Sequence, residues 1–190
     1  HHASAPSYQR LLSHYEPKVL LGLTATPERM DGKDVLEYFD GRISTEMRLG
    51  EAIDRKLLSP FQYFCISDEL DLSRLKWSSG KYDKGELTNL LTVDKINAKK
   101  RADLVIRSIY DYIGDLEEVV GLGFCVSIEH AEFMAMYFNE KNIPSIAISS
   151  KCTQEERESA RLGLVNGIYK FAFVVDLYNE GVDIPEINTI

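Results

Sequence analysis

The chain has 190 residues, of which 22 are basic and 30 are acidic, so its formal net charge is −8, and 44% of its residues are hydrophobic. This composition is typical of a folded globular protein with a sizeable core, and it argues against disorder and low complexity. No apolar run reaches the roughly 18 residues that a transmembrane helix needs. The first residues also lack the basic, apolar and cleavage regions of a signal peptide.

The three cysteines are Cys65, Cys125 and Cys152. An odd number cannot form a fully paired disulfide set, and their spacing does not match the paired spacing of a zinc site. A reducing cytosol is therefore the simplest location for the protein.

The negative charge is concentrated at the end of the chain, because residues 101–190 carry 15 acidic and 7 basic side chains. This distribution argues against a module that binds nucleic acid through a broad basic face. Local contacts to phosphate groups remain compatible with it.

The first third of the chain predicts a mixture of strands and helices. The apolar run at residues 18–23, followed by turn-forming residues, predicts a buried strand. Residues 34–39 and 50–58 predict short helices, and residues 42–49 and 60–67 have the composition of strands.

Residues 68–92 are polar, contain glycine and serine, and show no sustained period. Such a stretch is typical of a linker or a mobile insertion. We therefore predict a first domain over residues 1–67, a linker or mobile insertion over 68–92, and a second domain over 93–190.

The second domain opens with a predicted amphipathic helix that ends at Gly114. Its apolar positions keep helical spacing; they are Ile96, Val105, Ile109 and Ile113.

After this helix, strands and helices alternate. Strands are predicted at 119–126, 145–148 and 169–175, a fourth begins at 187–190, and helices are predicted at 128–141 and from Thr153 to Gly167. Thr153 and Glu156 form a capping-box pattern, and Gly167 suits a left-handed helix end. This alternation predicts an α/β fold with a parallel sheet and helices on both faces.

Two loops that follow predicted strands have unusual sequences. The first is LGLTATPERMDG at 21–32, and the second is VVDLYNEGVDIPEINTI at 174–190. Ligands of open parallel sheets bind at the carboxyl ends of the strands, which makes these loops candidate sites. Taken singly, each loop favours a simpler interpretation: the first is a strand end whose threonines bond to their own backbone, and the second is a βα turn with a capping aspartate.

Taken together, the loops resemble motifs of the superfamily two helicases and translocases, LTATP as motif III and EGVDIP as motif V. GFCVS with EHA at 123–131 is similar to motif IV, and Ser149–Ser150 occupies the position of the next family segment. His1–His2, followed by APSY at 5–8, is similar to the end of a DExHH motif II, although a purification-tag remnant or a metal pair is an alternative. The greatest similarity is to type III restriction subunits and to the helicase subunit of nucleotide excision repair.

The resemblance implies two RecA-like lobes, the first truncated at its N-terminus and the second at its C-terminus, with ATP and Mg²⁺ bound between them. It implies a catalytic role for His1. ATP-site or coupling roles are implied for five residues: Thr24, Ala25, Thr26, Gly181 and Asp183. Contacts to the nucleic-acid backbone are implied for four: Cys125, Ser127, Ser149 and Ser150.

The departures from the family pattern are also informative. No G-x-x-x-x-G-K-[ST] phosphate loop occurs in the chain, and the arginine-bearing motif VI is missing. We therefore expect a fragment of an ATP-dependent helicase or translocase that does not hydrolyse ATP alone. The subgroup favours DNA over RNA, but the residues themselves leave that choice open. The alternative is a non-hydrolysing α/β binding or scaffold module with helicase-like motifs.

Overall fold

The computed structural model describes residues 5–25, 34–68, 70–78, 80–175 and 184–190. By its internal contacts the chain divides into two compact units, His1–Phe64 and Cys65–Ile190. The units differ strongly in how much of their apolar surface they bury.

The first unit contains helix α1 (Pro6–His14), a short 3-10 helix (Val35–Phe39) and helix α2 (Leu49–Asp54). The 3-10 helix begins where the Asp34 side chain accepts a hydrogen bond from the Leu36 N–H, and this element confirms the short helix predicted at 34–39. Buried side chains are few, and no residue of α1 is buried.

The three strands predicted in this part of the sequence, at 18–23, 42–49 and 60–67, are wrong. Residues 18–23, 42–48 and 60–67 form irregular, exposed backbone, and Leu49 begins α2. A buried strand needs neighbouring strands to satisfy its backbone and cover its side chains. Residues 5–25 and 34–64 contain no strand that could do this.

The second unit opens with a two-stranded antiparallel hairpin, β1 (Trp77–Ser78) and β2 (Lys81–Tyr82). Helix α3 (Lys84–Thr92) follows and packs against the next two long helices. The stretch 68–92 thus contains a hairpin and a helix within the second unit. The domain boundaries that the sequence predicts at residues 67 and 93 stay a prediction.

Helix α4 (Lys95–Tyr112) begins at Asp94, whose side chain accepts a hydrogen bond from the Asn97 N–H. It is the long helix predicted before Gly114. Its buried stripe is Ala98, Ala102 and Ile106, whereas Ile96 is 70% exposed. Of the four predicted apolar positions, Val105 and Ile109 pack against the core, whereas Ile96 and Ile113 are exposed, so the prediction is only partly correct.

The core of the unit is a parallel sheet of β3 (Gly121–Phe124), β4 (Ser145–Ile148) and β5 (Phe171–Val174) in the order β3-β5-β4. Helix α5 (Ile128–Glu140) connects β3 to β4, and helix α6 (Gln154–Val165) connects β4 to β5. These elements confirm the predicted alternation and the α/β class.

Strand β5 shows why the sheet is covered on both sides. Phe171 and Phe173 pack with α4 and α5, whereas Ala172 and Val174 pack with α6. Successive side chains of a strand point to opposite faces, so one short apolar strand supplies both cores.

The predicted fourth strand begins as a single parallel bridge between Thr189 and Gly121. The side chain of Asn188 extends this contact, since it accepts from the Val120 N–H and donates to the Glu118 carbonyl. The predicted capping box of α6 is also confirmed, with both Thr153–Glu156 hydrogen bonds formed, and Gly167 has the predicted positive φ, +74°.

Candidate nucleic-acid interface

The carboxyl edge of the parallel sheet carries the polar loops of the second unit. Cys125 and Ser127 follow β3, and Ser149 and Ser150 follow β4. Since β5 lies between these strands, the two loops are about 10 Å apart, twice the spacing of neighbouring strands. The structure thus brings the four predicted nucleic-acid contacts to one edge.

Cys125 is a packing residue of this edge. Its backbone N–H donates to the Val174 carbonyl at 2.8 Å, and burial raises the pKa of its thiol to about 12. The thiol therefore stays protonated near neutral pH and is not a nucleophile.

Ser127 is buried and begins helix α5. Its Oγ accepts a hydrogen bond from the His130 N–H at 3.2 Å, and its hydroxyl also bonds to the carboxylate of Glu129. The pKa of Glu129 is held below its usual range by its own backbone N–H, then by Ser127, and by the nearby charges of Lys151 and Lys84. The positive charges of Lys151 and Lys84 therefore act on this carboxylate.

His130 shapes the same loop from inside. Its Nδ1 accepts a hydrogen bond from the Val126 N–H at 3.4 Å. Burial, and secondarily the charge of Arg101, lower its pKa to about 4. The imidazole is therefore neutral at pH 7, as an acceptor must be.

The β4 loop is held by its own backbone and by Arg157. The buried Ser149 Oγ accepts from the Lys151 N–H at 3.3 Å, and the exposed Ser150 offers its carbonyl to Arg157 Nη2 at 3.3 Å. Arg157 Nε also donates to the Cys152 carbonyl at 3.1 Å. The loop leads directly into the capped start of α6.

Comparison with known proteins gives this edge a family context. Residues 1–29 match the family model described as "Type III restriction enzyme, res subunit". A 51.5 kDa protein of Lactococcus phage (isolate 7-9) is 28% identical over 98% of this chain and 39% of its own length.

Two further relatives carry helicase names. The provisionally named ATP-dependent helicase IRC3 of Saccharomyces cerevisiae is 26% identical over all of this chain and 28% of its own length. The ATP-dependent RNA helicase DHH1 of Encephalitozoon cuniculi is 30% identical over 48% of this chain and 22% of its own length. The chain is thus similar to proteins named as ATP-dependent helicases. The resemblance indicated by its motifs is thereby confirmed, and the chain spans less than half the length of each of these relatives.

Of the remaining predicted site residues, the structure describes only Thr24 and Ala25. Thr24 and Ala25 are exposed in the irregular backbone of the first unit. His1, Thr26, Gly181 and Asp183 lie outside the described residues.

Two cations of the site were missed by reasoning from the sequence. Lys151 directly follows the predicted Ser149–Ser150 pair, and a cation next to a polar loop was an available signal. Lys84 has no such signal, because it is 45 residues distant from Glu129 in the chain. Only the fold brings it near.

Within residues 5–25, 34–68, 70–78, 80–175 and 184–190, no group of three or more His, Cys, Asp or Glu side chains could hold a metal ion. None of the described helices has the length and apolar character needed to cross a bilayer.

Proposed function

We propose that this chain is part of an ATP-dependent helicase or translocase in which the carboxyl edge of the second unit holds the backbone of a nucleic-acid strand. The observation that carries the proposal is the convergence of the β3 and β4 loops on one edge of a parallel sheet. The helicase names of relatives that match the whole chain supply the family context.

The chemistry of the edge suits phosphate oxygens. Helices α5 and α6 both begin there, and the N-terminal end of a helix favours anions. Ser150 presents an exposed hydroxyl, and Lys151 and Lys84 supply positive charge near Glu129. Contacts of this kind position a strand without reading its sequence.

ATP use is implied by the names of the relatives, and Mg²⁺ is part of the proposal. The described residues of the edge do not fit a magnesium–nucleotide site, because they include no group of His, Cys, Asp or Glu side chains that could hold a metal ion. We therefore assign ATP to the whole protein, with His1, Thr24, Ala25, Thr26, Gly181 and Asp183 in its catalytic, ATP-site and coupling roles. Hydrolysis would require two lobes to act together, so we expect none from the 190 residues alone.

The proposal also includes the type of nucleic acid and the cellular location. DNA is the favoured track because of the match to a restriction subunit, with RNA as the alternative represented by a relative named as an RNA helicase. A cytoplasmic location is supported by the three cysteines, all of which are free.

A charge-insertion pair tests the proposed edge. Ser150→Asp places a carboxylate at an exposed position of the β4 loop. Two like charges 4 Å apart in water repel each other by about 1 kcal/mol. Binding of a labelled oligonucleotide should therefore weaken about fivefold. Ser159→Asp adds the same charge on the exposed side of α6, one and a half turns beyond its start, and should have a smaller effect. Fluorescence anisotropy at low salt measures both, and equal dissociation constants for the two variants would contradict the proposal.

The assigned ATP roles are tested in the whole protein. Asp183→Ala should lower ATP turnover about 100- to 1,000-fold, by analogy with the loss of one positioned polar group. Thr26→Ala should preserve basal hydrolysis better than nucleic-acid-stimulated translocation, because a coupling residue does not contact the reacting phosphate. Normal turnover in Asp183→Ala, together with a much lower melting temperature, would instead indicate a structural cap.

The alternative is a non-hydrolysing binding or scaffold module. It is favoured by one observation, the engagement of the Ser127 and Ser149 hydroxyls by backbone N–H groups. A scaffold predicts no oligonucleotide binding in the anisotropy assay, whereas the helicase proposal predicts weak, salt-sensitive binding.

A further inference from the structure

The β1–β2 hairpin presents an exposed tryptophan. Trp77 is the only tryptophan of the chain, and 60% of its surface is accessible to solvent. Its ring contacts Tyr82 edge-on, with centroids 4.6 Å apart and an interplanar angle of 76°. A large aromatic side chain is normally among the most favourable groups to bury, so its exposure on an ordered hairpin requires another explanation.

The hairpin is firmly braced. The Asp83 N–H donates to the Lys76 carbonyl at 2.8 Å, closing the hairpin behind Trp77. The Lys76 N–H donates to the Glu86 carboxylate at 2.7 Å, and the Glu86 N–H donates to the Asp83 carboxylate at 2.9 Å. These bonds tie the hairpin to the start of helix α3, so Trp77 is held in place before any ligand arrives.

The hairpin is also cationic in a chain of net charge −8. Residues 74–84 contain one acidic residue, Asp83, and four basic residues: Arg74, Lys76, Lys81 and Lys84. The Asp83 carboxylate is already bonded as the cap of α3. Arg74 is in part neutralised by Asp71, 3.5 Å away.

Other basic residues of the unit serve structural contacts. Arg101 pairs with Asp68, and Lys99 lies over the ring of Tyr137 at 5.7 Å. Among the residues that the structure describes, no such contact is formed by Lys81, which is exposed on β2 opposite Ser78. Lys81 is therefore placed for an anion from outside the chain.

The hairpin is continuous with the carboxyl edge of the sheet. Helix α3, which begins at Lys84 directly after β2, packs against α5. Lys84 lies close enough to Glu129, in the first turn of α5, to act on that carboxylate. The hairpin is thus connected to the carboxyl edge of the sheet through α3 and α5.

We propose that the β1–β2 hairpin is a second contact for single-stranded nucleic acid, in which a base stacks on Trp77 and Lys76 and Lys81 approach the adjacent phosphates. Stacking on an exposed aromatic ring combined with cations along the backbone is a sequence-tolerant way to bind a single strand. The inference that the ligand is a nucleic acid rests on the proposed function, whereas the position of the contact is inferred from the residues of the hairpin itself.

The single tryptophan provides a direct readout. Titration of the 190-residue chain with oligo(dT) or oligo(U) at low salt should change the emission of Trp77 in parallel with the anisotropy of a labelled oligonucleotide. Duplex DNA of the same length should change the emission much less, because its bases are already stacked. The two single strands distinguish DNA from RNA as the preferred ligand.

Substitutions separate stacking from folding. Trp77→Leu keeps an apolar contact for Tyr82 but has no ring to stack, and it should weaken single-strand binding about 5- to 150-fold, the range expected for loss of about 1 to 3 kcal/mol of base stacking. Trp77→Phe should recover part of that loss. Tyr110→Ala removes another exposed aromatic, on α4, and serves as the matched control. Lys81→Gln should reduce the slope of log affinity against log salt by about 1.

The outcomes distinguish this inference from the function on which it rests. Binding seen by anisotropy, with unchanged Trp77 emission and wild-type affinity in Trp77→Leu, would overturn the hairpin contact and leave the carboxyl edge standing. Absence of binding to either oligonucleotide would overturn both. Parallel emission and anisotropy changes, lost in Trp77→Leu and retained in Tyr110→Ala, support the hairpin contact.

Discussion

Two apolar runs of this chain have opposite environments. Residues 19–23 in the first unit form exposed irregular backbone, and Leu23 is 87% exposed. Residues 171–175 in the second unit are all buried, with Val174 fully inaccessible. The second run has strands paired on both sides and helices over both faces, and among the described residues the first has neither. An apolar run therefore becomes a buried strand only where partners exist to cover it.

The largest expected contrast comes from truncating one side chain in each unit. Phe138 is fully buried and makes edge contacts with Phe171 and Phe173, at centroid distances of 5.3 and 4.8 Å. Phe138→Ala should lower the free energy of unfolding by about 3 to 5 kcal/mol. Leu23→Ala should change it by less than about 0.5 kcal/mol. Urea unfolding followed by circular dichroism measures both changes. Similar losses of unfolding free energy in the two variants would contradict the difference in packing between the two runs.

Substitution of one glycine in each unit tests how tightly the neighbouring aromatic ring is packed. A Cβ added at Gly123 would lie 2.5 Å from the buried ring of Phe173, and one at Gly22 would lie 2.5 Å from the half-buried ring of Phe39. The packed Phe173 cannot move, so Gly123→Ala should cost about 1 to 3 kcal/mol. Gly22→Ala should cost less, because Phe39 can rotate away. Equal shifts in the urea midpoint would mean that the two rings are equally constrained.

Acid titration probes the buried imidazole of the second unit. Since burial lowers the pKa of His130 from 6.5 to about 4, the unfolded chain takes up a proton first as the pH falls. Stability should therefore fall by about 2 kcal/mol between about pH 6.5 and pH 5, and this loss should level off near pH 4. Asp103, Glu129 and Glu158, whose pKa values are lowered, add a further loss only at lower pH.

His130→Asn keeps an acceptor near the position of Nδ1 but does not titrate, so it should flatten this pH dependence. His14→Asn, which removes an exposed imidazole from helix α1, is the matched control. A wild-type unfolding free energy that is constant over this pH window would contradict the assignment.

The smallest contrast concerns helix starts. Helix α6 has a complete capping box, whereas α1 begins at Ala5 without a side-chain cap. Thr153→Ala should cost about 1 kcal/mol, and Ala5→Ser should stabilise α1 by about 0.5 kcal/mol. Thermal melts of the two variants should therefore shift in opposite directions.

The second unit was predictable because its local signals agree with its tertiary contacts. The capping box at Thr153, the glycine at 167 and the apolar strand at 171–174 each specify their element locally. In the first unit the short helix at 34–39 was predictable from its local signals. The strands were not, because the burial of an apolar run depends on partner strands that no local pattern reveals. The strand-like sequence pattern alone could not distinguish the buried apolar run of the second unit from the exposed runs of the first.

The candidate site was predictable to a similar, partial extent. The hydroxyls at 127, 149 and 150 follow from loops after strands and from family motifs. The acceptor role of His130, the approach of Lys84 to Glu129 and the braced Trp77 hairpin depend on contacts that only the fold creates. His1, Thr26, Gly181 and Asp183 stay predictions.

The proposed binding of a nucleic-acid strand at the carboxyl edge of the sheet is tested most directly by NMR. Backbone amide chemical shifts of the isotope-labelled chain are recorded with and without an oligo(dT) single strand. We expect the largest changes at residues 125–127 and 149–151, with little change near Gly121 and Ser145 at the opposite ends of the same strands. Changes confined to the amino ends of the strands, or spread evenly over the surface, would contradict it.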